Sequence, residues 1–210
     1  MENTITYIIP HRNVDIHREK NLMVVLDWVR SLKYKKEIIV VEQDDTAKLD
    51  LPKDINHIFI KNSGQFTKSW AMNVGIKAST NELIVMCDSD CFFNVSNMNS
   101  FLDKMLEGKY QAGTPNHYRA DGSALGGGCF AATKEALHKV KLWDEDFMGW
   151  GGEDSAMGSK FWKEGWTYDG GQALRTNYLG YHLWHPSKSD TDGYMDNKKV
   201  NADLWNHRYR

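Results

Sequence analysis

The sequence predicts an α/β fold, a mainly parallel central sheet flanked by helices, on three observations. Strand-like and helix-like runs alternate through the first hundred residues, three apolar runs stop at polar and mostly acidic clusters, and no repeat or Pro/Gly/Ser-rich linker divides the chain. Thr4–Ile9 is apolar and β-rich and ends at Pro10. Between Asp15 and Leu32 the residues Leu22, Val25, Leu26 and Val29 recur at helical spacing. Glu37–Val41 is a second apolar run, closing on Glu42–Asp45. His57–Ile60 alternates like a strand, Thr67–Ala78 reads as a helix, and Glu82–Cys87 is a buried-strand run that stops at Asp88-Ser89-Asp90. Sheets of this kind bind ligands beyond the carboxyl ends of their strands. Pro10–Asn13, Glu42–Asp45 and Asp88–Asp90 are therefore expected to converge on one crevice.

The second half is richer in glycine and tryptophan. Gly126-Gly127-Gly128 leads into a short strand, Cys129–Ala132, and helices are expected over Lys134–Val140 and from Glu153 to about Lys163. Tyr178–Trp184 is strand-like, and the last twenty-odd residues are polar and read as a tail. With 41% hydrophobic residues and a formal charge of −2, the chain has a globular composition and no global field that would draw it to nucleic acid or anionic lipid. Cys87, Cys91 and Cys129 are odd in number and read as free thiols of a reducing compartment. Met1–Pro10 holds too short an apolar run for a signal peptide, and nothing approaches the ~18 apolar residues of a membrane span. The expected location is cytoplasmic.

Three motifs carry chemistry. Asp88-Ser89-Asp90 sets two carboxylates at the end of a buried strand, where they cost solvation energy unless a cation is near. A divalent metal is one answer and plain loop solubility the other. Trp150-Gly151-Gly152-Glu153-Asp154 joins an aromatic surface, two glycines that let backbone approach a ligand, and two carboxylates opening a helix whose N-terminus favours their ionised forms. An ionised aspartate there can serve as a general base; an acidic first turn is the bland alternative. In His182-Leu183-Trp184-His185, histidines three apart on a strand face opposite sides, so both reach one metal only if the strand bends or ends between them; a half-buried aromatic strand with satisfied histidines is the bland alternative.

These motifs occur in a fixed order with Ile9-Pro10-His11-Arg12-Asn13, Phe66-Thr67-Lys68, Asn73-Val74-Gly75 and Gly127-Gly128. The ordered set resembles the catalytic domain of the β-1,4-galactosyltransferase family. More loosely it resembles the chondroitin-polymerase and mucin-type N-acetylgalactosaminyltransferase groups. The resemblance covers roughly residues 4–186 and implies an A-type glycosyltransferase fold. One domain would comprise a nucleotide-binding half (about 1–95), a small acceptor and catalytic half (about 96–186) and a C-terminal lid or tail (187–210).

The resemblance also implies roles. Pro10, His11 and Arg12 would line the nucleotide pocket, with Glu42 and Ser89 also on the donor side and Phe66 and Lys68 near the base and phosphates. Lys68 stands where the galactosyltransferases have an arginine, so a point charge replaces bidentate phosphate contact. Asp90 and His185 would ligate manganese, or magnesium, with Asp88 near the ribose or a metal-bound water. His182 replaces the family's methionine ligand with one better matched to manganese. Glu153 would hold donor-sugar hydroxyls beside Gly151 and Gly152, Trp150 would lie on a lid, and Asp154 would be the base. Ser155 replaces a further acidic residue of the family. Leu125 stands in place of a bulky tyrosine beside the donor's C2 substituent, which suggests room for an N-acetyl group; a plain packing residue is the alternative. The expected activity is metal-dependent, inverting transfer of a hexose or N-acetylhexosamine from a UDP-sugar to an acceptor hydroxyl, with a glycan as acceptor. The rivals are a phage-type enzyme acting on hydroxylated DNA bases, a retaining transferase, and an inactive sugar-nucleotide-binding module. The DNA reading draws on the basic and aromatic C-terminus (Lys198, Lys199, Trp205, His207, Arg208, Tyr209, Arg210).

Overall fold

The computed structural model describes residues 3–118, 124–125, 128–149, 151–168, 171–186 and 194–210. Four strands build the parallel half: β1 (Thr4–His11), β2 (Lys35–Asp44), β3 (Ile55–Lys61) and β4 (Leu83–Cys87). They lie in the order β3-β2-β1-β4, all parallel. Helix α1 (Ile16–Ser31) joins β1 to β2, and α2 (Lys68–Ala78) joins β3 to β4. Asp15 caps α1 by accepting from the backbone N–H groups of His17 and Arg18.

β1, β2 and β4 read as near-continuous apolar runs because both faces are covered. Ile5, Tyr7 and Ile9 of β1 pack on one face against Leu22, Val25 and Val29 of α1. Ile8 of β1 and Ile39 and Val41 of β2 pack on the other against Ala71, Met72 and Ile76 of α2. The alternation is the two-residue period of the pleat.

The remaining elements are β5 (Cys91–Phe93), α3 (Val95–Leu106), β6 (Ala112–Tyr118), β7 (Ala124–Leu125), β8 (Cys129–Thr133), α4 (Lys134–Lys139), α5 (Glu153–Lys163), β9 (Ala173–His182) and α6 (Tyr194–Tyr209). β8 runs antiparallel to β4 and to β6; β9 lies parallel to β6 and carries β5 antiparallel at its far end. The architecture is the α/β one expected, parallel on the N-terminal side and mixed beyond β4.

Three expectations are corrected. β1 does not end at Pro10 but pairs on to His11. Its pairing with β4 stops at Ile8, so at Pro10 the missing N–H faces no partner strand. β9 begins at Ala173 and ends at His182, where the sequence suggests Tyr178–Trp184. The polar C-terminus is a helix docked on α5. Asn201 donates to the carbonyl of Met148, and Arg208 pairs with Asp144 and Asp146.

All three cysteines are free and buried, with the Cys87 and Cys129 sulfurs 3.6 Å apart across β4 and β8. Among the described residues no helix is long and apolar enough to cross a membrane.

Candidate active site

The carboxyl ends of β2, β1 and β4 are neighbours in the sheet, which brings Glu42–Asp44, His11 and Asp88 together. Asp88 is held at the end of β4 by its N–H, which donates to the carbonyl of Gly128. The turn through Ser89 leads into β5, whose Cys91 lies opposite His182 at the end of β9. The N–H of Leu183 donates to the carbonyl of Asp90 at 2.7 Å and ties the chain leaving β9 to the same turn. β9 thus ends between the two histidines, and both meet Asp90. His182 Nε2 is 3.7 Å from Asp90 Oδ1 and His185 Nε2 is 3.3 Å from Oδ2.

The side chain of Asp90 is only 8% exposed. Burial alone would raise its pKa, but the hydrogen bond from His185 and the charges of His182 and Arg18 hold it at about 2. His185 is raised in turn, first by Asp90. Its Nδ1 lies 3.0 Å from the carbonyl of Pro186, an acceptor, so Nδ1 carries a proton. Nε2 and the Asp90 carboxylate would then be two acceptors face to face unless a cation, a proton or a metal ion, lies between them. The donor set therefore fits a divalent metal. Ligand atoms of Asp90, Cys91 and His182 lie within 4.8 Å of one another.

Arg18 and Cys91 are members of this cluster that sequence reasoning missed. Arg18 donates to Asp90 Oδ2 at 2.7 Å, and the Cys91 thiol donates to Oδ1 at 3.4 Å. Cys91 was legible only as the residue after the acidic motif. Arg18 sits in the first turn of a helix recognised by its apolar face, and nothing in its position announces the reach to Asp90.

A second cluster centres on Lys68, the first residue of α2. Gln43 fixes the start of that helix by accepting from the N–H of Thr67. The Lys68 ammonium lies 2.7 Å from Asp88, 3.0 Å from Asp154 and 3.8 Å from Glu153. Burial disfavours its charge, yet the three carboxylates prevail and its pKa stands well above the ordinary lysine value. Asp88 is pushed up by burial, with Asp154 and Asp90 adding to it against Lys68, although its carboxylate still opens on the cleft at 31% exposure. Glu153 is raised to about 7 by burial, which Lys68 only partly opposes. Asp154 is the open member, at 39% exposure.

The glycines before α5 set this geometry. Gly151 and Gly152 have φ of +97° and +95°, the left-handed region that favours glycine. A Cβ on Gly152 would also come within 2.8 Å of the Phe147 ring. The tight turn delivers Glu153 inward and Asp154 to the cleft.

The expected donor-side residues divide. His11 is buried with both ring nitrogens unpartnered, and burial followed by the charge of Arg18 lowers its pKa to about 4. Pro10 is buried beside it, and Ser89 is buried in the acidic turn. Arg12 donates to the carbonyls of Gln43, Asn62 and Gly64, and its guanidinium lies 6.0 Å from the Phe66 ring. It braces the loop that presents Phe66.

Glu42 departs from expectation. It is fully buried, accepting from the N–H of Lys48 and facing His57 at 2.9 Å, so its carboxylate is engaged inside the protein. Leu125 lies on β7, opposite His117 of β6; its side chain is outside the described residues. Trp150 and Gly127 also lie outside them. A cavity of about 240 Å³ lies by Gln111, Trp166 and Gln172 at the other end of β9 from His182, and no member of either cluster lines it.

The family model described as "Glycosyl transferase family 2" matches residues 6–126, more than half of the chain. The chain belongs to glycosyl transferase family 2. A second model, described as "N-terminal domain of galactosyltransferase", matches residues 109–183. This family member is 24% identical over 161 residues to human beta-1,4-galactosyltransferase 4, covering 73% of the chain. It spans about two fifths (41%) of the length of that relative. Its fold is similar to that of the catalytic domain of Drosophila beta1,4galactosyltransferase 7 in complex with xylobiose. The TM-score is 0.64 at 16% identity, covering 95% of this chain and 79% of the other. A mutant of the Drosophila protein, solved in complex with manganese, UDP-Gal and xylobiose, gives 0.62 at 14% identity over 90% and 74% of the two chains. The family 2 assignment and these neighbours agree with the A-type fold and with a resemblance to β-1,4-galactosyltransferases.

Proposed function

We propose that the chain transfers a hexose or N-acetylhexosamine from a UDP-sugar to a hydroxyl of an acceptor glycan, with inversion at the anomeric carbon. The observation that carries this reading is the position of Asp154. Its carboxylate opens on the cleft at a glycine turn, paired with a buried lysine and beside the acidic turn of β4. Asp154 takes the acceptor hydroxyl proton as that oxygen bonds to the anomeric carbon, and the electron pair of the broken bond leaves with the diphosphate. Lys68 exchanges carboxylate partners for phosphate oxygens and carries part of their charge. Glu153, with one oxygen buried and unpartnered, holds a sugar hydroxyl. His11 and Asp44 also keep buried, unpartnered polar atoms at this crevice, which suits a polar ligand.

Asp90, His182 and His185 would hold manganese or magnesium. A divalent ion there neutralises diphosphate charge. The manganese and UDP-Gal bound by the Drosophila neighbour support both the metal and the donor. A glycan is favoured over DNA because Arg208 and Tyr209 of the basic C-terminus are engaged by Asp144 and Asp146.

A donor-by-acceptor screen with purified protein and manganese tests the reading; release of UDP from no donor overturns it. Chelator should abolish turnover and manganese restore it better than calcium, since the site mixes oxygen and nitrogen ligands. Asp90→Ala should weaken metal-dependent UDP binding by about tenfold in calorimetry, the equivalent of ~1.4 kcal/mol. Unchanged binding removes Asp90 from the ligand set. Leu125→Tyr should lower the ratio of kcat/KM for N-acetylated over plain hexose donors. A ratio that does not move makes Leu125 a packing residue.

A further inference from the structure

We propose that an aromatic groove beside α5 is a second acceptor subsite, binding the pyranose rings of a glycan chain beyond the unit that receives the sugar. The proposal rests on Asp154 marking the acceptor end of the catalytic centre.

Glu153, Met157 and Phe161 bury one side of α5, and α6 packs on the helix with Lys163 donating to the carbonyl of Arg208. Asp154, Gly158 and Trp162 follow one another at four-residue spacing and share an edge that the core side does not bury. At 1.5 Å per residue, Trp162 lies about 12 Å along the axis from Asp154. That is too far for the sugar whose hydroxyl meets the base and suits a unit further along the same chain. The groove is lined by Gly113, Phe130, Gly158, Phe161, Trp162 and Tyr168.

Its chemistry is that of a sugar platform. Trp162 is 61% exposed and Tyr168 40%, large ring faces left open to solvent. Such faces present a negative π surface to the C–H face of a pyranose while asking for few hydrogen bonds.

Gly158 is the second, independent sign. A glycine inside a helix weakens it, and here neither packing nor backbone requires one. A Cβ at Gly158 would meet nothing within 4 Å, and its φ is not positive. What the missing side chain leaves is open space on the groove wall, one turn from Asp154.

Beneath the groove a row of largely buried rings runs through the core towards Lys68. The Lys68 ammonium lies 5.9 Å from the Trp143 ring, Trp143 lies 6.5 Å from Phe130, and Phe130 lies 5.2 Å from Phe161. Phe161 then stacks on Trp166 at 4.9 Å. An occupant that starts at Asp154 and follows the open edge of α5 past Gly158 to Trp162 is an extension of the acceptor itself.

The test uses β-linked xylose, glucose and N-acetylglucosamine oligomers of increasing length, read by kcat/KM and by tryptophan fluorescence titration without donor. Wild type should favour long over short members of its preferred series by about tenfold, through KM. Trp162→Ala and Gly158→Leu should bring that ratio close to one. Trp162→Phe should restore most of it, and Gly158→Leu should melt no lower than wild type. A ratio that survives both variants, or oligomers that bind wild type with no dependence on length, overturns the subsite. UDP release without acceptor reports separately on the catalytic centre, and the fluorescence arm decides the groove even if that centre proves inactive.

Discussion

Asp154→Asn should cut sugar transfer at least ~100-fold, the lower end of what general-base catalysis contributes, while the fold and donor affinity stay near wild type. The fold should hold because Asp154 is the most open of the three carboxylates around Lys68, and an amide oxygen still accepts from the ammonium. Asp88 and Glu153 remain to balance the lysine charge. A carboxylate in the first turn of a partly exposed helix is worth only about 0.3–1 kcal/mol to that helix. Its loss cannot by itself unfold a domain of this size. A variant that keeps its melting temperature and loses transfer therefore reports on chemistry.

Glu153→Gln should behave differently. Glu153 points inward with one oxygen unpartnered, so the amide should weaken donor-sugar recognition as well as turnover. If Asp154→Asn transfers at near-normal rate with an unchanged melting temperature, the base lies elsewhere and the inverting assignment falls with it. If it unfolds, Asp154 is a structural carboxylate and the motif is an acidic helix start.

Much of this site is legible in the sequence because its residues sit where elements begin and end. The run Leu83–Cys87 can only be a buried strand, so Asp88–Asp90 must lie at its exposed end. Gly151-Gly152 before two carboxylates marks the start of α5, and the helix does begin at Glu153.

What escaped has physical reasons. α6 is recognised by no apolar stripe, since it docks through polar pairs such as Asn201 with Met148 and Arg208 with Asp144. The start of β9 at Ala173 carries Arg175 and Thr176, and its strand form comes from pairing with β6. Glu42 looked like a strand-end ligand because spacing gives its position but not the direction of its side chain; His57, on the neighbouring strand, turns it inward. Arg18 reaches Asp90 from a helix, a contact between residues 72 apart in sequence that no local pattern encodes.

Removing the charge of Lys68 should cost more stability than any other single change in the site. Lys68→Met leaves Asp88, Glu153 and Asp154 around an uncharged side chain, and breaking a buried ion pair from one side costs about 3–5 kcal/mol. At about 2–4 °C per kcal/mol for a chain of this size, the melting temperature at pH 8 should fall by roughly 6–20 °C. The loss should depend on pH in a set direction. Glu153 already has a folded pKa of about 7 against an ordinary value of 4.5, so its contribution favours folding fully below 4.5 and disappears as pH rises through 7. Without Lys68 its carboxylate is harder still to ionise, so the deficit should shrink as pH is lowered from 8 towards 5, and adding Glu153→Gln should flatten that slope. Asp90 works in the opposite sense. Its folded pKa of about 2 lies below 3.8, so its contribution is present above 3.8 and lost only as pH falls through 2, outside the window measured. Lys68→Arg keeps the charge and should recover most of the stability, which separates electrostatics from packing. Equal melting temperatures for Lys68→Met and wild type across pH 5–8 would mean that the three carboxylates do not depend on the lysine, and its assignment as their counter-charge would be wrong.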